Sequence, residues 1–277
     1  MQQGGQVVLI TGGNTGIGRV AARELAGRGF HVFVACRSAE RARNVLEEVR
    51  AAAGNGVIEL LPLELGDFES IRTCARTFLA RDLPLHLLIN NAGLAGARGF
   101  TQSGFELAFG VNHMGHFLLT QLLTERIKSS APGRIVTVAS TAHYQARSID
   151  WDAVRKPTLS TTGLPEYGVS KLCNVLFSAE LGRRLAGTGV STYSLHPGVV
   201  GTDIWRRVPW PLRALIKLAM TSPERGAATT LFCGTSPAVA DQTGQYYDNC
   251  RPKRPSLLAQ DSALASELWK RSEGWLP

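Results

Sequence analysis

Short apolar runs alternate along this chain with longer stretches whose apolar residues recur at helical spacing. The run "QVVLIT" precedes a helical pattern over 19–28, and "HVFVACR" precedes one over 40–53. "GVIELLPLEL" contains a third run before a helix at 70–79, and "LPLHLLINNAG" a fourth before a long helical region around 107–128. "GRIVTVAS" leads to a helix over 167–185, "GVSTYSLHPG" is a sixth run, and "GQYYDN" follows helices between 202 and 233. Strand-length runs alternating with helices predict right-handed βαβ units: a doubly wound α/β fold whose mostly parallel sheet of about seven strands carries helices on both faces. No repeat, low-complexity tract or long linker interrupts the rhythm, so 1–277 reads as one domain. In such a sheet ligands collect beyond the carboxyl ends of the strands, where the strand order reverses.

Composition changes this picture little. At 44% hydrophobic and 19% charged residues, the chain is ordinary for a globular protein. No apolar run approaches the roughly 18 residues of a membrane span. "MQQGGQVVLITGG" has neither a basic leader nor an apolar core before a cleavage site, which predicts no signal or transit peptide. Five dispersed cysteines (36, 74, 173, 233 and 250) without a CxxC pattern predict reduced thiols and a cytoplasmic location. His113 and His116 are three apart, but nothing completes a ligand set, so no metal is expected. The net charge of +8 gathers at Arg206, Arg207, Arg213 and Lys217 and at Arg251, Lys253 and Arg254. No nucleic-acid motif accompanies it; an anionic cofactor, a lipid headgroup surface or plain solubility remain its uses.

The turn "TGGNTGIG" (11–18) joins the first strand to the first helix. Gly12, Gly16 and Gly18, with Asn14, Thr15 and Ile17 between them, allow a tight turn and bring free helix amides to a diphosphate, as in a Rossmann dinucleotide site. The spacing is GxxxGxG rather than GxGxxG. The second strand ends Cys36-Arg37, where an acid would be needed to hold a free ribose 2′-hydroxyl. A guanidinium there instead suits a 2′-phosphate, which predicts NADP(H), with Arg37 decisive and Arg19 or Arg41 assisting; a surface arginine that merely follows a strand is the alternative.

"YGVSK" (167–171) places Tyr167 and Lys171 four apart, on one helix face. Such a pair also fits a solvated face, but its company decides. "NNAG" (90–93), Ser140 and "HPGVVGT" (196–202) all fall at strand ends, and Asn112 lies in the helix after strand four. With these motifs in this order, the chain resembles the short-chain dehydrogenase/reductase superfamily from end to end. That resemblance implies a catalytic tetrad of Asn112, Ser140, Tyr167 and Lys171. It implies cofactor contacts from the glycine turn, Glu64, Leu65, Asn91, Ala92, Gly93, Pro197, Gly198, Val200 and Thr202, besides Tyr167 and Lys171. A tyrosine titrates near 10, and Lys171 together with an oxidised nicotinamide should lower it. Ser140 would polarise a carbonyl and Tyr167 protonate it. The resemblance further implies that Lys171 holds the nicotinamide ribose, Asn112 a water chain, and Thr202 the carboxamide end.

Ser140 and Tyr167 are 27 positions apart, a longer separation than the best-known members show. With "VACR", "GFELAFGVNHMGHFLLTQLL", "VASTAHY", "YGVSKLCNVLFSAEL", "HPGVV" and "GQYYDNC", this resembles the retinol dehydrogenase-like branch, which implies NADP(H) and a retinoid, steroid or long-chain aldehyde. "GFE…VNHMGHFLL" is also similar to light-dependent protochlorophyllide reductases, and an NADP(H)-binding regulator without turnover is the rival of another class. The branch usually carries an N-terminal anchor, whereas this chain starts almost at its first strand, so a soluble or peripheral protein is expected. Glu64 stands where the family has Asp, and Ala139 where a serine is common. The segment 203–222 should form a substrate lid, with Trp205 on the substrate and a basic edge (203–220) for a membrane surface. His143, Tyr144 and Trp151 are candidates for the substrate wall. The family also implies a homodimer or homotetramer built through the helices after strands four and five.

Overall fold

Eight strands form one sheet in the order β3-β2-β1-β4-β5-β6-β7-β8 in the computed structural model, which describes residues 5–52, 56–198 and 222–277. The strands are β1 Val7–Thr11, β2 His31–Cys36, β3 Val57–Pro62, β4 Leu87–Asn90, β5 Gly133–Val138, β6 Val190–His196, β7 Gln245–Asp248 and β8 Arg251–Pro252. All neighbours pair in parallel except β7 and β8. The strand order reverses between β1 and β4, which pair through Leu9 and Leu88. This opens the crevice at which the glycine turn and the NNAG segment leave the sheet.

Burial explains why the strands read as continuous apolar runs. β1 and β4 are buried along their whole length, as a sheet covered on both faces requires. Alternate residues serve opposite faces. Leu9, Phe33, Leu88 and Ile135 pack into one core with Phe117 and Leu172, while Val8, Ile10, Val34, Ile89 and Val136 pack into the other with Leu25 and Tyr193.

The helices are α1 Gly16–Gly27, α2 Ala39–Ala52, α3 Phe68–Leu79, α4 Leu107–Phe109, α5 Gly115–Ser129, α6 Leu164–Arg184, α7 Pro223–Thr235 and α8 Ser262–Gly274. Three features depart from the sequence reading. The region 107–128 is not one α-helix, because a π-helical turn, Gly110–Met114, separates α4 from α5 and carries Asn112. The sheet gains β8, two residues long and so without a periodic signature; Asn249 and Cys250 turn into it with positive φ.

The third departure is α8. Its Trp269 meets Phe117 of α5 edge-on at 5.0 Å and stacks on Phe177 of α6 at 5.9 Å. The face of α5 and α6 that carries these rings is thus covered within the chain. Among the described residues no helix is long and apolar enough to cross a membrane.

Candidate active site

The glycine turn folds as its composition dictates. Gly12 and Gly16 take φ of 66° and 51°. A Cβ on Gly18 would lie 2.4 Å from the Gly12 carbonyl oxygen and 2.5 Å from Asn91 Nδ2, so the turn, α1 and the NNAG segment close on one another only through a bare α-carbon. Thr15 caps α1 in an extended conformation with no side-chain hydrogen bond, and the first turn holds no acid. The α1 amides therefore carry neither a capping oxygen nor a repelling carboxylate. A dinucleotide's diphosphate fits that donor set. Asn14, Gly16 and Ile17 beside them are half-buried and Thr15 is exposed.

Thr11 fastens the two sides of the crevice. Its hydroxyl accepts the N–H groups of Asn91 (2.9 Å) and Ala92 (3.0 Å), while Asn91 Nδ2 donates to the Thr11 carbonyl at 2.9 Å. The same hydroxyl lies 2.8 Å from His116 Nε2, and His116 Nδ1 lies 3.0 Å from the Asn112 carbonyl. Burial lowers the His116 pKa to about 4, so the ring is neutral: Nδ1–H donates to Asn112 and Nε2 accepts from Thr11. Neither Thr11 nor His116 stood out from the sequence as a site residue. The available signals were the threonine that opens "TGG" and a histidine one turn beyond Asn112. His113 turns away to Ser272 Oγ at 3.0 Å, and no three His, Cys, Asp or Glu side chains cluster among the described residues.

Arg37 follows β2 with its side chain 77% exposed, and its Nη1 contacts Glu64 Oε2 at 3.3 Å. The other Glu64 oxygen accepts the Gly66 N–H at 3.2 Å. Leu65 turns its side chain into the core, and Arg19 is taken by Glu48. The side chain of Arg41 lies outside the described set.

On the far side of the crevice Ser140 ends the run of β5. It is extended and caps a 3₁₀ turn, Thr141–Gln145, by accepting the Ala142 N–H at 3.2 Å. Tyr167 and Lys171 stand one turn apart on α6, with Nζ 5.7 Å from the phenol ring centre. Lys171 donates to the Val138 carbonyl at 2.9 Å, which also takes Asn174 Nδ2 at 3.1 Å. Asn112 binds the Leu94 main chain through both side-chain atoms and donates to Ser170 Oγ at 2.9 Å. It thereby joins the loop after β4 to the helix of Tyr167. A Cβ on Gly93 would sit 3.1 Å from Asn112 Oδ1 and 3.5 Å from Lys171 Nζ, so Asn112 and Lys171 converge on NNAG.

Burial dominates at Tyr167 and raises its pKa, with the Ser140 hydroxyl pulling the other way. Burial also brings the Lys171 pKa down to about 7. The protein's own groups thus keep the phenol protonated.

The wall candidates are placed differently from their expected role. His143 is fully buried behind Ser140, with Nδ1 on the Ser140 carbonyl and Nε2 on the Ser256 N–H, leaving no polar atom for a ligand. Tyr144 is 42% exposed and donates its hydroxyl to the Arg254 carbonyl. Trp151 packs beneath Arg271 at 4.7 Å and against Trp275. Pro197 and Gly198 are half-buried after β6, Gly198 with φ of 86°. Val200, Thr202, Trp205 and the segment 203–221 lie outside the described residues.

Comparison with known proteins decides the family. Residues 6–152 match the family model described as short chain dehydrogenase. The chain belongs to the short-chain dehydrogenase/reductase family. Within it, this oxidoreductase is 42% identical to human retinol dehydrogenase 11 over 97% of its own length and 85% of that protein's. It is 39% identical to the bovine dehydrogenase/reductase SDR family member 13, over 97% and 72% of the two chains. Such relatives set the oxidoreductase in the retinol dehydrogenase-like branch. An uncharacterised protein of Mycobacterium paratuberculosis superposes on it with a TM-score of 0.77 at 31% identity, covering 98% of this chain and 93% of that one. Pseudomonas aeruginosa RhlG, solved with NADP in its active site, gives a TM-score of 0.71 at 25% identity over 95% and 97% of the chains.

Proposed function

We propose that this oxidoreductase interconverts a carbonyl and an alcohol on an apolar substrate of retinoid, steroid or long-chain aldehyde type, with NADP(H) as cofactor and Tyr167 as general acid/base. The observation that carries this reading is the buried Tyr167 phenol, near enough to Ser140 for that hydroxyl to lower its pKa, with Lys171 one helical turn away. Its relatives named for retinol dehydrogenation support the substrate class. The five unpaired cysteines support a cytoplasmic location.

A bound reduced nicotinamide supplies hydride to the carbonyl carbon. The chain's residues handle the oxygen. Ser140 hydrogen-bonds it, and Tyr167, kept neutral by burial, gives it a proton. Lys171, with a pKa near 7, can take up or release a proton at neutral pH at little free-energy cost. Gly12, Gly16 and Gly18 would admit the diphosphate, and Asn91, Ala92 and Gly93 would line the crevice beside the dinucleotide.

Arg37 makes the cofactor preference testable. Its ion pair with Glu64 is largely exposed, worth under about 1 kcal/mol, so the guanidinium can turn to a 2′-phosphate cheaply. Charge-assisted hydrogen bonds of that kind contribute about 1.5–3 kcal/mol. In Arg37→Asp, the ratio of kcat/KM for NADPH over NADH should fall by about tenfold to a hundredfold. An unchanged ratio removes Arg37 from the assignment.

A further inference from the structure

The turn that follows Ser140 is tied to a segment more than a hundred residues away. The Ser140 carbonyl accepts two hydrogen bonds from His143, one from the main-chain N–H at 3.1 Å and one from Nδ1–H at 2.6 Å. On the opposite edge of the ring, Nε2 accepts the Ser256 N–H at 3.1 Å. That pair of partners admits a single arrangement: a neutral imidazole with its proton on Nδ1. The ring is fully buried between Tyr144 (4.0 Å) and Tyr246 (4.9 Å), and burial lowers its pKa, in agreement with the neutral form.

Tyr144 makes a second tie. Its hydroxyl donates to the Arg254 carbonyl at 2.6 Å, so neighbouring residues of the turn grip the segment at points two residues apart. The segment is itself anchored. The Lys253 N–H donates to the Tyr246 carbonyl of β7 at 2.8 Å, Lys253 Nζ pairs with Asp248 at 2.6 Å, and Arg254 Nε donates to Gln260 at 2.9 Å. Ser140 sits one residue past the ladder bond from Ala139 to the Leu195 carbonyl, and beyond it β6 reaches the turn through a side chain, His196 Nδ1 accepting the Thr141 N–H at 3.3 Å.

We propose that His143 is a positioning residue for Ser140, transmitting the fixed place of segment 253–260 to the serine that hydrogen-bonds the substrate oxygen. The inference rests on the reading of Ser140 given above. A buried imidazole that only filled space would need neither ring nitrogen partnered across the chain. Here one nitrogen holds the main chain of the reacting residue and the other holds the anchor. Misplacing a reacting group by about 1 Å can cost on the order of a hundredfold in rate.

The test measures kcat, KM and NADPH dissociation constants for the wild type, His143→Ala, His143→Asn, Tyr144→Phe and Ser140→Ala, with an apolar aldehyde as substrate and rates normalised to NADPH-binding sites. Both His143 variants should lower kcat by roughly tenfold or more while NADPH binding stays near wild type. His143→Asn, which keeps an N–H near the place of Nδ1, should retain more activity than His143→Ala. Tyr144→Phe removes one hydroxyl from a partly exposed ring and should lower kcat a few-fold. Wild-type kcat in the His143 variants and in Tyr144→Phe, alongside an inactive Ser140→Ala, overturns the inference and leaves the active-site reading intact. Wild-type kcat in Ser140→Ala overturns that reading, and the inference with it.

Discussion

Tyr167→Phe should lower kcat by about three orders of magnitude, within the range that loss of a positioned acid/base produces. NADPH should still bind within about twofold of wild type, since the ring and its packing survive. The substitution removes one oxygen from a side chain that is 7% exposed. No other acidic hydroxyl replaces it: Ser140 is a far weaker acid, and Lys171 is committed to the Val138 carbonyl, with Nζ 5.7 Å from the phenol ring centre. Thermal stability should change little, because Ser140 is only half-buried and still accepts the Ala142 N–H. Single-turnover NADPH oxidation and a fluorescence titration of NADPH separate the two quantities. A variant that turns over at the wild-type rate removes Tyr167 from the mechanism.

Gly18→Ala should abolish tight cofactor binding and lower the melting temperature. Its Cβ would lie 2.4 Å from the Gly12 carbonyl oxygen, 2.5 Å from Asn91 Nδ2 and 2.9 Å from the Gly12 carbonyl carbon. Two of these atoms are main chain and cannot swing aside, so α1 and the turn must separate. Overpacking of this kind costs about 1–3 kcal/mol, and the displaced atoms are those that would receive the diphosphate. The NADPH dissociation constant should rise at least about tenfold, which corresponds to 1.4 kcal/mol. Gly27→Ala is the matched control. It closes the same helix, α1, with no atom within 4 Å of a new Cβ, and should leave both quantities near wild type. Equal behaviour of the two variants would show that the close approach at Gly18 does not matter.

The parts legible in the sequence were those set by local periodicity and by residues that have few substitutes. The strands β1, β2, β4 and β5 run as largely apolar stretches because both faces of the sheet are covered there, and Gly12, Gly16 and Gly18 stand where side chains do not fit. The π turn at Gly110–Met114 was not legible, since its apolar spacing fits a plain helix. The same holds for α8, whose Trp269 acquires meaning only from Phe117 and Phe177. His143 shows the limit most clearly. An aromatic, polar residue three positions after Ser140 suggested a ligand wall, but both ring nitrogens are used by the protein, and one partner lies 113 residues away. The electrostatics of the phenol were not legible for a related reason: spacing gives the nearness of Lys171 but not the burial that brings the ammonium to about 7.

The central claim is carbonyl reduction with NADPH at Tyr167, and the most direct measurement is the loss of NADPH absorbance on adding all-trans-retinal, run beside NADH and a control without substrate. The account predicts retinal-dependent oxidation of NADPH that is faster than that of NADH and is absent in Tyr167→Phe. Oxidation that favours NADH, or that proceeds equally without the phenol, would contradict it.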